Sequence, residues 1–206
     1  MHPNQTFRKA NDELNISFAR ERSFGTLAIN AENGPLLSHI PFLLSEDGTY
    51  LEAHLVRSNP ILKYLDSESD AVFAVIGGDT YISPDWYEID NQVPTWNYVA
   101  VHIRGKLKRL PQDQLPGILE RLSDQFETRL LPKPIWKMDK VEKAALEKMQ
   151  RMIVPISMRV TSVDGTWKLA QNKPEETRLA AAKQVKTNGI GQNTGQIASL
   201  MGKPPC

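Results

Sequence analysis

Three groups of residues have the types and spacing to do chemistry. The first is His54-Leu55-Val56-Arg57-Ser58-Asn59-Pro60. A strand ends there and a helix is expected to begin, because Ser58 or Asn59 can cap and Pro60 suits the first helical position. A helix N-terminus offers unpaired N–H groups and partial positive charge, which suits an anion. The Arg57 guanidinium adds a planar fork that matches phosphate oxygens. The same stretch also reads as a capped helix beside a surface arginine. The second group is Tyr81-Ile82-Ser83-Pro84-Asp85-Trp86-Tyr87, followed by Pro94-Thr95-Trp96-Asn97-Tyr98. Aromatic planes with a few fixed polar groups suit a flat heteroaromatic ligand, and equally suit loop packing or a subunit contact. The third is Trp167-Lys168-Leu169-Ala170-Gln171-Asn172-Lys173, which supplies a cation and two amides at the end of an expected hairpin.

Other chemistries find little support. His39, His54 and His102 fall on three different expected strands, and none forms a paired metal-binding spacing. The one cysteine, Cys206, neither staples the chain nor completes a zinc set, which fits a reducing compartment. There is no G-x-S-x-G, and Gly77-Gly78 is neither a Walker loop nor a dinucleotide fingerprint. The 25 basic and 24 acidic residues leave a net charge of +1, whereas DNA-gripping proteins usually carry a basic excess or stripe. Lys106-Leu107-Lys108-Arg109 reads as a solvated strand end. No apolar run approaches the ~20 residues needed to span a membrane, and no apolar stretch follows His2, Asn4, Gln5, Arg8 and Lys9 as in a secretory signal. A cytoplasmic protein with no membrane partner is expected by elimination.

The elements that must position these groups follow from periodicity. Asp12–Arg22 is an expected amphipathic helix. Phe24–Ile29, Leu36–Leu44 and Thr49–Val56 are expected strands, joined through Asn33-Gly34-Pro35 and Glu46-Asp47-Gly48 as an antiparallel meander. Ile61–Leu65 fills one or two helical turns, and Ala71–Ile76 is a buried strand ended by Gly77-Gly78-Asp79. Thr95–Leu110 is a long strand in which Val99, Val101 and Ile103 alternate. In Gln112–Leu130, Leu115, Ile118, Leu119, Leu122 and Phe126 fall on one helical face. Asp139 is expected to cap a helix running to about Met149. Met152–Val163 is a strand, Asp164-Gly165 a tight turn, and Trp167–Ala170 its hairpin partner. Pro174–Lys186 is helical, Thr187–Gly195 a linker, and Gln196–Met201 a last helical turn. This order lacks the regular alternation of a parallel sheet and predicts an antiparallel barrel with flanking helices. The expected domain organisation is a barrel over 1–173, with a helical insertion at about 112–150, and a helical extension and tail over 174–206.

Six motifs in this order carry a family resemblance: Phe24-Gly25-Thr26-Leu27; His39-Ile40-Pro41-Phe42; His54 to Pro60; Tyr81 to Tyr87; Pro94 to His102; and Lys168 to Lys173. Together, over about Phe7 to Lys186, they resemble the PaiB-type family, described as FMN-binding negative transcriptional regulators. Ala170 stands where that family often has Ser, Leu55-Val56 replaces a usually smaller pair, and the Gly- and Gln-rich tail from Thr187 is less familiar. The resemblance implies an antiparallel split β-barrel of the FMN-binding type, related to pyridoxamine-phosphate oxidase-like flavoproteins. It also implies a homodimer with flavin at the subunit interface. Carried over residue by residue, it implies Arg57, Ser58 and Asn59 at the FMN phosphate. It sets His39, Pro41 and His54 near the isoalloxazine or ribityl chain, and Thr95, Trp96 and Asn97 reaching the ring from the partner subunit. Lys168, Gln171 and Asn172 would close the phosphate end. The implied function is flavin-dependent transcriptional regulation, with direct DNA contact unsupported by charge. The alternative is an FMN-dependent oxidoreductase acting on a small substrate, for which no catalytic residue stands out. Haem binding through His39, His54 or His102 is a third reading, and the phosphate-like setting of Arg57 favours FMN over it.

Overall fold

The computed structural model describes residues 1–205; Cys206 lies outside the described residues. Six strands carry the fold: β1 (Phe24–Ile29), β2 (Leu36–Leu44), β3 (Tyr50–Val56), β4 (Ser69–Ile82), β5 (Thr95–Arg109) and β6 (Ile153–Lys168). They hydrogen-bond in the order β1-β2-β3-β6-β5-β4, and β4 returns to β1. The β1–β2, β2–β3, β3–β6 and β1–β4 pairings are antiparallel. This is the antiparallel split-barrel fold with flanking helices. Short turns set the meander. Gly48 closes the β2–β3 hairpin at φ 71°, a left-handed conformation that glycine adopts without steric cost, while Asp47 accepts from Ser45 and Thr49.

Contacts divide the chain into two compact units. One comprises Ala19–Ala74 and Ile103–Val163. Its strands alternate, as a half-buried sheet requires, so that Leu27, Phe42, Leu51, Leu55, Phe73, Ile103, Leu107 and Ile156 are buried. The Phe42 and Phe73 rings lie 5.2 Å apart. The expected apolar stripe of the insertion appears as α2 (Leu115–Glu127), which buries Leu115, Ile118 and Leu122. Arg121 of α2 donates to Glu52 of β3 at 2.6 Å.

The other unit comprises Met1–Phe18, Val75–His102 and the chain from Asp164 onward. Most of α1 (Asp12–Arg22) belongs to it, with Asn11 accepting from the Leu14 N–H and Asp12 and Glu13 in the first turn, where helix dipoles favour negative charge. Asn15 on this helix is buried, and its Oδ1 accepts from Trp167 Nε1 at 2.9 Å. Phe18 meets the Trp167 ring edge-on, with centroids 5.4 Å apart. The tail forms α4 (Glu175–Asn188) and, after α3 (Lys143–Arg151) of the first unit, the chain's last helix, α5 (Thr194–Gly202). Ala181, Ala182 and Val185 of α4 and Ile197, Ala198 and Met201 of α5 are buried. The connection between them is tied to β4: Asp79 N–H donates to Gln192 O at 2.9 Å and Tyr81 N–H to Ile190 O at 2.8 Å. No helix of the described residues is long and apolar enough to cross a membrane.

Three local expectations change. Gly77-Gly78 does not end a strand, and β4 runs through it to Ile82. The burial phase slips there, and a Cβ on Gly77 would lie 2.9 Å from the Phe18 ring, so the glycine serves a close approach. Asp164-Gly165 makes no turn, because β6 is one strand to Lys168. Gly165 is needed because a side chain there would fall on the Asn15 carboxamide. Asp139 sits in a short 3-10 helix, and Glu142 caps α3 by accepting from Ala144 and Ala145 N–H at 3.0 and 2.9 Å. The one or two helical turns expected after Asn59 are present, as a five-residue 3-10 helix over Pro60–Tyr64.

Gly165→Ala is therefore expected to lower stability by about 1–3 kcal/mol, the usual range for overpacking. Denaturant unfolding measures it. Gly195→Ala controls for a glycine without a positive φ whose added Cβ would meet no neighbour. A Gly165→Ala midpoint equal to wild type would refute the close-approach account.

Candidate functional site

The candidate residues fall into two sets, one in each unit. His39, Pro41, His54, Arg57, Ser58 and Asn59 belong to the first unit, and Thr95, Trp96, Asn97, Lys168, Gln171 and Asn172 to the second.

In the first set, strand alternation decides what faces away from the core. On β2, His39 and Pro41 alternate with the buried Ile40 and Phe42. His39 Nδ1 lies 2.9 Å from the Oγ1 of Thr26, its partner across the β1–β2 register. His54 alternates with the buried Ala53 and Leu55 on β3 and pairs with Pro155 of β6. Its Nδ1 is buried without a hydrogen-bond partner, and burial holds its pKa below the ordinary value of 6.5. Phe42, which follows Pro41, pairs with Ala53, which precedes His54.

Arg57 is exposed at the end of β3 and partly engaged. Its Nε donates to Arg151 O at 2.7 Å, and its Nη2 to Gln112 Oε1 at 3.0 Å and Ile153 O at 3.3 Å. Ser58 is exposed beside it. Asn59 is occupied at both ends of its amide: Oδ1 accepts from Ile61 N–H at 3.0 Å, and Nδ2 donates to Ser38 Oγ at 3.0 Å. The expected cap is present, but a single 3-10 turn carries little of the aligned dipole that a longer helix has. Any anion affinity here rests on the guanidinium and the hydroxyl. This donor set, with an unpartnered ring nitrogen on His54 and an apolar Pro41 on the same strand face, fits a phosphate joined to a polar heteroaromatic group.

The second set converges on a cavity of about 310 Å³. Thr95, Asn97, Lys168 and Asn172 line it. Lys168 Nζ donates to Thr95 Oγ1 at 2.5 Å and lies 6.0 Å from the Phe7 ring centroid. Burial pushes the Lys168 pKa down. Asn97 is 1% exposed; its Nδ2 reaches Met201 Sδ at 3.4 Å, and its Oδ1 has no partner. Trp96 alternates with Thr95 and Asn97 on β5, so it faces the other way. It joins Tyr81 instead, with centroids 6.2 Å apart, and Tyr81 also meets Trp86 at 6.5 Å. Gln171 is absorbed by its own turn: Oε1 accepts from Leu169 N–H at 2.8 Å, and Nε2 donates to Trp167 O. Ala170 in that turn has φ 63°.

Several wall residues carry no sequence signal for this role. His2, Asn4 and Phe7 reach the cavity because His2 N–H donates to Thr166 Oγ1 at 3.1 Å, pinning the N-terminal segment to β6. Gln92 lines it too and bonds to Lys173 of the third sequence group, whose Nζ lies 5.3 Å from the ring centroid of Tyr87, a member of the second. Burial also raises the Tyr87 pKa.

Comparison with known proteins adds three findings. A family model described as "Putative FMN-binding domain" matches residues 1–162. The Bacillus subtilis (strain 168) protein named "Protease synthase and sporulation protein PAI 2" is 32% identical over 197 residues, covering 95% of this chain and 93% of that one. Among solved structures, a FAD and heme binding protein from Mycobacterium smegmatis superposes with a TM-score of 0.58 at 14% identity, over 90% of this chain and 82% of that one. The flavocytochrome Anf3 from Azotobacter vinelandii gives 0.55 at 11% identity, over 81% and 72%. At these identities the structural matches speak for the fold.

The half-buried His54 has a pH consequence. Its folded-state pKa is depressed below 6.5, so between the two values the unfolded chain binds more protons. Its contribution to stability is complete above about pH 6.5 and is lost as pH falls through the folded pKa. Denaturant midpoints at about pH 7.5 and 5.5 should therefore differ in wild type, and His54→Gln should narrow the gap. An unchanged gap would remove His54 as a source of acid sensitivity.

Proposed function

We propose a function from one premise: this chain belongs to the PaiB-type family described as "Putative FMN-binding domain". FMN is the cofactor of that family, and we read the chain as a flavin-dependent transcriptional regulator of the PaiB type. The observation that carries this reading is the 32% identity to the Bacillus subtilis protein, maintained over 95% of the chain. On this reading Arg57 and Ser58 hold the FMN phosphate, Asn59 positions them by capping the turn and bonding Ser38, and His39, Pro41 and His54 flank the ribityl chain or ring. When bound, FMN supplies electron or hydride chemistry, and the protein supplies binding and orientation. A guanidinium suits the phosphate because it offers several donors at fixed angles, so the ties of Nε and Nη2 to Arg151, Gln112 and Ile153 orient the fork rather than exhaust it.

A cytoplasmic homodimer completes the reading. Exposed Leu37, Val56, Met149 and Met152 in the first unit give apolar surface that a second copy would cover. The balance of 25 basic and 24 acidic residues supports regulation through a partner rather than through direct grip on DNA. The oxidoreductase alternative differs in one observable, steady-state oxidation of NAD(P)H or of a pyridoxamine-type substrate.

The test is an absorbance titration of the full chain with FMN. Saturable binding is expected, weakened by about 1.5–3 kcal/mol in Arg57→Ala, as for a charge-assisted hydrogen bond. Folded wild-type protein that fails to bind FMN would refute the reading. Binding by Arg57→Ala equal to wild type would move the phosphate elsewhere. Turnover of NAD(P)H by the FMN-loaded protein would favour the enzyme.

A further inference from the structure

The family resemblance assigns Thr95, Asn97, Lys168 and Asn172 to the flavin, yet on the reading above Arg57 and Ser58 already meet its phosphate, and the cavity beside Lys168 has a composition of its own. None of its 13 lining residues is acidic, and two of them, Lys168 and Lys173, are cations. The partners these ammonium groups have are neutral: the Thr95 hydroxyl, the Gln92 amide oxygen and the faces of Phe7 and Tyr87. Removing an ammonium from water without an opposing charge is costly. A concave site that concentrates uncompensated positive charge favours an anion. Asn97 makes a second, independent demand. It belongs to the same wall, is 1% exposed, and its amide oxygen has no donor. A buried acceptor left unpaired is likewise unfavourable, and a ligand N–H or O–H would satisfy it.

The backbone is also committed to this arrangement. Ala170 lines the cavity and holds φ 63°, a conformation that non-glycine residues rarely adopt and that recurs where a ligand site dictates the chain path. The Gln171 amide braces the turn from both sides, and Lys173 N–H donates to Ala170 O at 3.0 Å. The turn thereby brings Lys168, Asn172 and Lys173 to one cavity.

We propose that this cavity is a binding site for a small organic anion, a carboxylate or phosphate that carries a hydroxyl or amine donor, built from residues other than Arg57 and Ser58. Lys168 and Lys173 receive the anionic group, Thr95 orients the Lys168 ammonium, and Asn97 accepts from the donor. In a flavin-binding regulator such a ligand is a substrate or an effector. The anion itself does not depend on that reading, because the charge and the orphaned acceptor are properties of the cavity alone.

Calorimetric titration of the full chain tests it, with inorganic phosphate, glycolate and the neutral glycolamide as probes, each with and without saturating FMN. FMN binding is measured separately on the same preparations, so a failure of the flavin reading is visible on its own. The expected result is saturable binding of phosphate and glycolate but not glycolamide, unchanged by FMN. Lys168→Gln should weaken binding roughly tenfold or more, as for loss of a charge-assisted hydrogen bond. Should that variant fail to fold, Lys173→Gln is read in the same way. Three outcomes would overturn the proposal: no saturable binding of either anion to folded wild type, affinities untouched by the folded lysine variant, or competition by FMN. The last would make the cavity the flavin's own phosphate anchor.

Discussion

Closure of the strand circuit is the constraint on which the rest of this structure depends. Four pairs, from Thr26↔Ala74 to Ile29↔Ala71, join the first strand to the fourth. Without them both would be edges, each with a row of unsatisfied N–H and C=O groups open to other chains. Closure also fixes direction. Once β1 is held between β2 and β4, Leu27 and Ile29 point to the core, and the register with β2 sets Thr26 against His39. A slip of one residue would exchange the two faces, burying His39 and exposing Phe42. The outward histidines thus owe their position to the same pairing that builds the core.

Alternation then sorts the motifs into groups that the linear sequence does not display. Thr95, Trp96 and Asn97 are consecutive, yet Trp96 joins Tyr81 on one face while Thr95 and Asn97 line a cavity on the other. Their separation follows from the two-residue period of a strand. Polar residues on the inward side need partners, and here the partners come from distant segments. Asn15 of α1 accepts a hydrogen bond from the Trp167 indole N–H, and Met201 of α5 meets the Asn97 amide. The Trp167 bond explains why Gly165 has no side chain. The indole can reach Asn15 only if the strand passes close to the helix, and that approach leaves no room for a Cβ.

Much of this was legible in the sequence because the signals were local. The first helix and first two strands begin and end where the change of period predicts. Of the predicted stripe, Leu115, Ile118 and Leu122 are buried, and Leu119 and Phe126 are half-buried. The misread places are those where a turn signal had a tertiary cause. Gly77-Gly78 and Asp164-Gly165 look like chain reversals, and both lie inside long strands, under Phe18 and Asn15 respectively. Asp139 has the composition of a cap, yet it is the Glu142 carboxylate that meets the free N–H groups of Ala144 and Ala145. The cavity was half legible. Thr95, Asn97, Lys168 and Asn172 stood out, but His2, Asn4 and Phe7 lie some 90 or more residues from them in the chain, and no periodicity links a short N-terminal segment to the end of β6.

The two sets of candidate residues differ most in how their cations are held, and that difference bears on what each can recognise. Arg57 is exposed and oriented by backbone carbonyls of Arg151 and Ile153. A delocalised guanidinium tolerates such neutral partners and keeps its charge, so a fixed fork at the surface recognises an anion by shape as much as by charge. Lys168 is a compact ammonium, partly withdrawn from water, whose pKa burial has lowered. A lysine in that position responds to what enters. An incoming anion restores the favourable term that desolvation removed, and a neutral ligand does not. Selectivity for charge is therefore stronger at the lysine than at the arginine, although the arginine is the better geometric match for phosphate. The unpaired Asn97 oxygen adds a requirement for a donor that a bare inorganic anion meets only when it carries a proton. Charge, burial and the orphaned acceptor together describe a ligand with both features, which is more specific than either lysine describes alone.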